Sequence, residues 1–380
     1  MLLKDLPDVI RVGIVGANPD YGWGSGVHRR VIEHLPGFTL EGVCTTREAS
    51  AREAASLFGA PLWFTDASAL VAHPDIDLVA ICVKAPHHYA IAKAALGAGK
   101  HIYCEWPLAT TLEQSEELAA LAAAHRSKAM IGLHLRGSPA MRQAADLVAA
   151  GFVGSVYSVT LSARVFGPVM RAMATRAGGT TLLSIYGGHI LDALDHYFGG
   201  ITDIAMRGAI HLPNVDETGA AVDRDAFDHL QFCGSLGNGG LFNVDLAGVS
   251  LANMGCRWRI EGRDGVLVLS NRDPTLPAIE SLVLHGARGG ALLAPIAIDP
   301  RFDRSTIPPE PDRYHAYPNS AASREALSSI GTLYTELGEA IRAGGSATPD
   351  FRRAVEIQRL LASAEAAATI IPPSLAGVAI

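Results

Sequence analysis

The sequence is poor in charge, poor in cysteine and free of long apolar runs, and each deficit excludes a class of protein. Charged residues make up 18% of the 380 residues, and a net charge of −7 offers no electrostatic basis for binding nucleic acid. Five cysteines without a C-x-x-C pair argue against a disulfide scaffold. No stretch approaches ~18 uninterrupted apolar residues, and the first strand starts near Met1. We therefore expect neither a membrane span nor a signal peptide, and a cytoplasmic location.

Apolar residues, by contrast, are abundant. They form 49% of the chain, which is enough for buried cores, and the length suggests two domains at the usual ~100–200 residues each. The pattern of predicted strands and helices changes near residue 135, which places one domain over residues 1–134 and a second over residues 135–380. The C-terminal helices of the second segment are free in this prediction to pack back on the first domain.

The two segments predict different sheets. The first alternates strands with amphipathic helices, which is typical of βαβ units and of a doubly wound parallel sheet in an α/β domain. In the second, strands cluster with few helices between them, which favours an α+β domain with a mostly antiparallel sheet. The predicted strands are 11–15, 39–45, 78–83, 101–105 and 129–133 in the first segment and 155–165, 227–233, 240–246, 256–261 and 265–269 in the second.

A glycine-rich turn follows the first predicted strand. Gly16 ends the strand, and Ala17 and Asn18 follow it in the turn. Gly22 and Trp23 come after an insertion that stretches the usual G-x-G-x-x-G spacing. Such a strand-to-helix turn lets the backbone approach a pyrophosphate at a helix N-terminus. An ordinary tight loop is the alternative, but the position inside a βαβ unit favours dinucleotide binding by a Rossmann domain.

The end of the second predicted strand bears on which dinucleotide is bound. An acid there accepts the ribose 2′-hydroxyl of NAD, whereas an arginine accommodates the 2′-phosphate of NADP. This chain has Thr46 and Arg47 and no acid before Glu48. NADP(H) is therefore favoured and NAD(H) remains open, with a solvated arginine at a helix start as the alternative.

Motifs along nearly the whole chain resemble the Gfo/Idh/MocA family of oxidoreductases (glucose–fructose oxidoreductase, inositol dehydrogenase and rhizopine catabolism). The resemblance implies a Rossmann domain, a second domain with a large open sheet that binds substrate and builds homodimers or homotetramers, and no metal. It is carried by the glycine turn and by Ala85-Pro86-His87-His88, Glu105-Trp106-Pro107, Arg136-x-x-Pro139, Gly187-Gly188-His189 and Trp258-Arg259-Ile260-Glu261-Gly262.

The catalytic pattern of that family is only partly present. Members typically carry Glu-Lys-Pro, whose lysine assists proton transfer, but Trp106 stands at that position here. Ile185 occupies the place of an acid that orients the catalytic histidine, which leaves His189. The stretched turn and Trp106 are similar to the subgroup of the yeast galactose-pathway repressor. A nucleotide-binding regulatory protein, or a lyase or epimerase with a recycling nicotinamide, is therefore an alternative to a dehydrogenase.

Four residues are candidates for proton transfer. His189 begins a helical stretch, and imidazole as a group ordinarily titrates in the range that general acid–base chemistry needs. A helix-start histidine bonded to backbone is the alternative. Asp192 would hold His189 or the substrate, or is an exposed helix acid. Tyr186 would donate its hydroxyl, or is only buried. Lys84, at the carboxyl end of an apolar strand, would replace the missing lysine or contact the nicotinamide ribose, or simply extends into solvent.

The remaining candidates follow from the matched motifs. The favoured function is hydride transfer between NADP(H) and a carbinol or ketone of a small polyhydroxylated substrate, with the redox chemistry supplied by the cofactor. A solvent-facing cap is the alternative for His88, core filling for Trp106 and a structural ion pair for Arg136. Pro86, His88, Glu105 and Trp106 are candidates for contact with the cofactor, and Trp106 also for covering the substrate. Arg136 and His134, at the crossover between the predicted domains, are candidates for holding a substrate hydroxyl or carboxylate.

Overall fold

A computed structural model describes residues 9–165, 170–212, 214–249, 255–271, 282–303, 307 and 324–371. The chain divides into two compact units. The first comprises Met1–Gly137 and Asp303–Glu356, and the second Ser138–Phe302 and Ile357–Ile380. Within the described residues, none of the helices is both long enough and apolar enough to cross a bilayer.

The first unit contains a six-stranded sheet whose pairings are all parallel, in the order β3-β2-β1-β4-β5-β6. The strand order reverses between β1 and β4, which is where doubly wound sheets bind their ligands. The strands are β1 (Ile10–Val15), β2 (Phe38–Cys44), β3 (Leu62–Phe64), β4 (Leu78–Ile81), β5 (His101–Glu105) and β6 (Ala129–Gly132). The helices are α1 (Arg29–His34), α2 (Glu48–Phe58), α3 (Ala67–Ala72), α4 (His88–Gly97), α5 (Leu112–Ala124) and α8 (Arg324–Ala343).

Helix α8 belongs to the core of this first unit. Its apolar residues recur at intervals of three and four, so they form one stripe that packs on the same core as β1 and α1. The stripe consists of Ile330, Leu333, Tyr334, Leu337 and Ile341, all of them at most 2% exposed. Close packing fixes its position further, because a Cβ on Gly137 would lie 2.0 Å from the carbonyl oxygen of Ser329 in α8.

The second unit contains a nine-stranded sheet in the order β14-β13-β12-β11-β7-β10-β9-β8-β15. Two of its pairings, β7 with β10 and β8 with β15, are parallel and the other six are antiparallel. The strands are β7 (Val156–Arg164), β8 (Ile201–Ala209), β9 (His229–Leu236), β10 (Leu241–Ala247), β11 (Cys256–Gly262), β12 (Gly265–Ser270), β13 (Val283–Arg288), β14 (Ala294–Ile296) and β15 (Thr369–Ile371). Its helices are α6 (Pro139–Ala149) and α7 (Gly188–Phe198), and the division between the units passes through α9 (Phe351–Ala366).

The structure confirms the predicted fold class and adds elements that the prediction missed. A parallel sheet in the first unit and a mixed, mostly antiparallel sheet in the second were both expected. The missed strands are short or polar: β3 has three residues, and β8 is half-buried or exposed over its first five residues. Helix α1 is entered through a π-helical turn (Gly24–His28) that directly precedes it. The missed elements are β3, α3, β8, β13, β14 and β15.

Candidate functional site

The glycine turn lies at the carboxyl end of β1, where the strand order of the first sheet reverses. Gly16 adopts a φ of 101°, a conformation that favours glycine. A Cβ at this position would lie 2.5 Å from the carbonyl oxygen of Cys82, which follows β4. The absence of a side chain therefore lets the ends of β1 and β4 approach each other at the switch point.

The turn is held by its own backbone and short side chains. The amides of Gly16 and Ala17 both donate to the carbonyl oxygen of Cys44 at the end of β2, at 3.0 and 3.3 Å. These two residues thus shape the turn, and their amides are already engaged. Asn18 Oδ1 accepts from the amide of Asp20 at 2.9 Å, and the Ser25 hydroxyl donates to the Asn18 carbonyl. The chain then passes through Gly22, with a φ of 105°, and half-buried Trp23 into the π-helical turn.

Thr46 and Arg47 are exposed at the end of β2. Arg47 precedes α2 in an extended conformation, and no carboxylate among the described residues pairs with its guanidinium. The nearest acid in sequence, Glu48, is instead paired with Arg52 at 2.9 Å. Arg47 is therefore an exposed cation at the end of β2, on an edge that also carries the exposed acids Asp20, in the glycine turn, and Asp66, after β3.

The segment after β4 contains three of the predicted site residues, of which two are exposed and one is buried. Lys84 and Pro86 are exposed, as the ligand hypothesis requires. His88 is only 1% exposed, so the solvent-facing alternative is wrong for it. Its Nδ1 lies 2.7 Å from the Pro107 carbonyl oxygen and its Nε2 lies 2.8 Å from that of Val83. Burial lowers the pKa of His88. The His88 ring thus bridges the loop after β5 and the loop after β4. Its contact with a cofactor stays a prediction.

Glu105, the last residue of β5, lies between two histidines. Its carboxylate is 2.8 Å from His28 Nε2 and 2.9 Å from His134 Nε2. Because a carboxylate only accepts hydrogen bonds, both Nε2 atoms carry hydrogen. Burial alone would raise the pKa of Glu105, but the two imidazoles outweigh it and hold that pKa well below its usual range. Glu105 is therefore a buried anion at neutral pH.

The cluster extends to α8 through His28. The His28 Nδ1 lies 2.9 Å from the hydroxyl of Tyr334, which donates to it when the ring is neutral. Tyr334 in turn stacks on Tyr103 of β5, with ring centroids 4.6 Å apart. We call Tyr334, His28, Glu105 and His134 the β5 cluster.

The same cluster touches the glycine turn. The rings of Trp23 and His134 have centroids 5.0 Å apart, so His134 lies between Glu105 and the turn. Gly132 makes room for the ion pair, since a Cβ there would be 3.0 Å from Glu105 Oε1. Trp106 is 6% exposed beside Glu105 and Arg136 is half-buried two residues beyond His134. The structure thus brings Trp23, Glu105 and His134 together.

The other predicted residues lie in the second unit, on one helical segment. Tyr186 is in a π-helical turn (Leu183–Gly187) that precedes α7, and it is 7% exposed. His189, the second residue of α7, is half-buried. Asp192, one turn further, is fully buried, so its interpretation as an exposed helix acid is wrong. The three catalytic roles themselves stay predictions.

Sequence reasoning missed His28 and Tyr334. His28 lacks metal-ligand spacing and belongs to no matched motif, and Tyr334 lies 229 residues after Glu105. A usable signal for His28 was its position on the helix that follows the glycine turn, which directs that helix toward the sheet's carboxyl edge. No group of His, Cys, Asp or Glu with metal-binding geometry occurs in the described part of the chain.

Comparison with known proteins identifies both segments. Residues 10–133 match the family model described as the oxidoreductase family with an NAD-binding Rossmann fold (GFO_IDH_MocA), and residues 139–271 match the Gal80p C-terminal domain. Dehydrogenase aclE of Aspergillus oryzae is 29% identical over 54% of this chain and 59% of its own length. The galactose/lactose regulatory protein GAL80 of Kluyveromyces lactis is 27% identical over 60% of this chain and 56% of its own length. The matches thus span somewhat over half of these relatives.

Solved structures share the fold over almost the whole chain. Levoglucosan dehydrogenase, solved with NADH and levoglucosan, superposes with a TM-score of 0.77 at 19% identity, covering 94% of this chain and 96% of its own. A super-repressor mutant of Gal80p from Saccharomyces cerevisiae has a TM-score of 0.79 at 20% identity, with the same coverage. An oxidoreductase and a regulator are therefore equally good structural neighbours.

Proposed function

Because residues 10–133 match the oxidoreductase family with an NAD-binding Rossmann fold, we propose that the chain transfers a hydride between a nicotinamide nucleotide and a carbinol or ketone of a small polyhydroxylated substrate. The observation that carries this proposal is the Gly16 turn, placed where the first sheet reverses its strand order. Relatives of this chain include proteins named 1,5-anhydro-D-fructose reductase and inositol 2-dehydrogenase, which supports a sugar or cyclitol as substrate.

The residues at this edge fit a dinucleotide. Gly16 lets the ends of β1 and β4 come close together, Gly22 has open space around it, and Arg47 is exposed at the end of β2. Exposed Lys84 and buried Glu105 lie at the ends of β4 and β5, on the half of the sheet that takes the second mononucleotide. When bound, the nicotinamide supplies the two-electron hydride acceptor or donor.

The protein's part in the chemistry is to orient the substrate and to move one proton. In the oxidation direction, the carbinol carbon loses a hydride and the hydroxyl proton passes to a ring nitrogen of His189. Tyr186 and Asp192, one turn before and after it on the same helical segment, would orient the imidazole or the substrate. In the reverse direction the ketone carbon regains the hydride from the reduced cofactor and the ketone oxygen regains the proton from His189, so the atoms and electrons balance in both directions.

We expect Arg47 to favour NADP(H). Replacing Arg47 with Ala removes the charge that would bind a 2′-phosphate, so the Kd for NADP⁺ should rise about tenfold to a hundredfold, as for loss of a charge-assisted hydrogen bond. The Kd for NAD⁺ should stay within about twofold. Fluorescence titration of both nucleotides measures the two effects.

Arg52→Ala provides the matched control. Arg52 lies one turn further along α2, paired with Glu48 and stacked on Trp63 with its guanidinium carbon 4.2 Å from the ring centroid. Its removal should leave both affinities unchanged. Equal losses for NAD⁺ and NADP⁺ in Arg47→Ala would contradict a specific role for that arginine.

Turnover tests the function as a whole. The absorbance of reduced nicotinamide is followed on mixing the protein and NADP⁺ with polyols and secondary alcohols, and NADPH with ketones. We expect turnover in at least one direction for a substrate with adjacent hydroxyls. Nucleotide binding without turnover across the panel would remove support for the dehydrogenase proposal.

A regulatory protein is the second candidate, favoured by the match of residues 139–271 to the Gal80p C-terminal domain. Trp106 and Ile185 support it, since neither side chain exchanges a proton. A nucleotide-dependent protein partner, captured with NADP⁺ but not without it, would single out this function. Elimination or epimerisation with a recycling nicotinamide would instead convert substrate without net reduction of added cofactor.

The remaining expectations concern assembly and location. We propose a homodimer or homotetramer in which the large sheet of the second unit forms the interface between subunits. Strands β9, β10 and β11 of that sheet expose alternate residues. A cytoplasmic location remains part of the proposal, and none of the five cysteines forms a disulfide.

A further inference from the structure

The carboxylate of Glu105 is held by imidazoles from two different elements of the first unit. His28 is the last residue of the π-helical turn, and His134 follows β6 by two residues. The Nε2 atoms of these histidines lie 2.8 and 2.9 Å from the Glu105 carboxylate, which is 12% exposed at the end of β5. His28 therefore connects the end of β5 to the segment that follows the glycine turn.

The His28 ring is held on all sides. It is fully buried, and while its Nε2 donates to Glu105, its Nδ1 lies 2.9 Å from the hydroxyl of Tyr334 on α8. The ring also meets Tyr103 and Tyr334 edge-on, with centroids 5.1 and 5.6 Å apart. A ring with both nitrogens bonded and two aromatic neighbours has one preferred orientation, in which it bridges α8 and β5.

The backbone that carries His28 packs directly on the glycine turn. A Cβ on Gly24 would lie 2.6 Å from the carbonyl oxygen of Gly16, so the start of the π-helical turn touches the end of β1. The amide of Arg29 donates to the Gly24 carbonyl, five residues back. One extra residue in a helical turn rotates the neighbouring side chains by ~100°, so this local geometry determines which side of the helix His28 occupies.

The glycine turn also has contacts of its own that do not involve the imidazole. The amides of Gly16 and Ala17 donate to the carbonyl oxygen of Cys44, and the amide of Gly26 donates to that of Gly22 at 2.9 Å. Removal of the imidazole should therefore leave the turn in place and release the end of β5. In a sheet of this order, β1, β2 and β3 take the adenosine half of a dinucleotide, and β4, β5 and β6 take the other half.

We infer that His28 is a positioning residue for nucleotide binding, which holds the end of β5 at a fixed place relative to the glycine turn. It acts through Glu105 and exchanges no proton in this role. Two linked halves of a ligand bind more tightly than one half only when the two parts of the site are spaced to match the ligand. His28 sets that spacing, so it matters for a whole dinucleotide and not for its adenosine half.

This role rests on nucleotide binding at the first sheet, which is part of the proposed function, and it needs no substrate. His28→Phe keeps an aromatic ring but removes both hydrogen bonds. We expect its Kd for NADP⁺ to rise about tenfold to a hundredfold, as for loss of a hydrogen bond to a charged group. Its Kd for 2′,5′-ADP, the adenosine half with the same 2′-phosphate, should stay within about twofold. Calorimetric titration of the whole protein with each ligand measures both values.

Two further histidine variants separate positioning from general stability. His28→Gln can donate to Glu105 and accept from Tyr334 through one amide, so it should restore the affinity for NADP⁺ to within about threefold. His34→Gln is the matched control, because His34 lies at the end of the following helix, with its Nδ1 2.8 Å from the Arg30 carbonyl oxygen. It should leave both affinities unchanged.

Tyr334→Phe keeps the test open if His28→Phe does not fold. It removes one hydroxyl from the contact with His28 and retains the stacked ring. We expect a loss of affinity for NADP⁺ of about twofold to tenfold, with binding of 2′,5′-ADP unaltered. An unaltered affinity for NADP⁺ in folded Tyr334→Phe would then count against the role of His28.

The outcomes distinguish this role from the function on which it rests. Equal losses for NADP⁺ and 2′,5′-ADP in folded His28→Phe, or no loss for either, would overturn the positioning role and leave the dehydrogenase proposal intact. A loss confined to NADP⁺ in a protein without turnover would support the role of His28 and count against the dehydrogenase. Failure of the unaltered protein to bind either ligand would overturn both.

Discussion

Replacing Gly16 with Ala should abolish nucleotide binding and lower the thermal midpoint of unfolding by several degrees. The new Cβ would lie 2.5 Å from the carbonyl oxygen and 2.8 Å from the carbonyl carbon of Cys82, and both are backbone atoms that cannot rotate away. A φ of 101° adds a backbone strain of ~1–2 kcal/mol for a residue with a side chain. The ends of β1 and β4 must separate, so the switch point loses its shape. We expect a loss of affinity for NADP⁺ of at least about a hundredfold, measured by fluorescence titration.

Gly97→Ala is the matched control for Gly16→Ala. Gly97 ends α4 and has no positive φ, and a methyl group added there would meet no neighbouring atom within 4 Å. The same chemical change there should leave nucleotide affinity unaltered and the midpoint equal or slightly raised, because alanine favours a helix. Circular dichroism shows whether Gly16→Ala is folded. A folded Gly16→Ala protein that binds NADP⁺ normally would refute the assignment of the turn.

The fold was predictable wherever a strand is apolar along its length. β4 and β5 were recognised because Leu78–Ile81 is entirely buried and His101–Glu105 nearly so. β8 was not, because its outward residues are polar and exposed, and the pairing with β9 that defines it is a property of the assembled sheet. Periodicity likewise shows that α8 has an apolar stripe, but not which sheet that stripe covers.

The candidate site was predictable residue by residue but not as a cluster. Glu105, His134 and Trp23 were each singled out for separate reasons. In the structure the imidazole of His134 lies between Glu105 and Trp23. That arrangement requires the ends of three strands to meet, and no local spacing in the sequence encodes it. His28 and Tyr334 join through contacts spanning 77 and 306 residues of sequence. Their role follows from the sheet order and from the return of α8.

His189→Ala should lower kcat by about a hundredfold to ten-thousandfold and leave NADP⁺ affinity within about twofold. General acid–base catalysis contributes an effect of that size, and an imidazole exchanges a proton at neutral pH, whereas Trp106 and Ile185 cannot. Asp192 is fully buried one turn along α7, on the same helix as His189. The measurement is the steady-state rate on the best substrate of the panel, together with its dependence on pH.

Lys84→Met distinguishes the two candidates for the missing lysine's role. Lys84 is exposed at the end of β4, so its removal should be tolerated by the fold. If His189 moves the proton, Lys84→Met keeps most of the rate and its pH profile, while His189→Ala loses both. If Lys84 moves the proton, the order reverses, and Lys84→Met loses the limb of the pH profile that reports the proton donor.

Tyr186→Phe, which removes only a buried hydroxyl, tests whether Tyr186 orients the substrate. A change in KM with kcat preserved assigns the Tyr186 hydroxyl to substrate binding, and a fall in kcat assigns it to proton transfer.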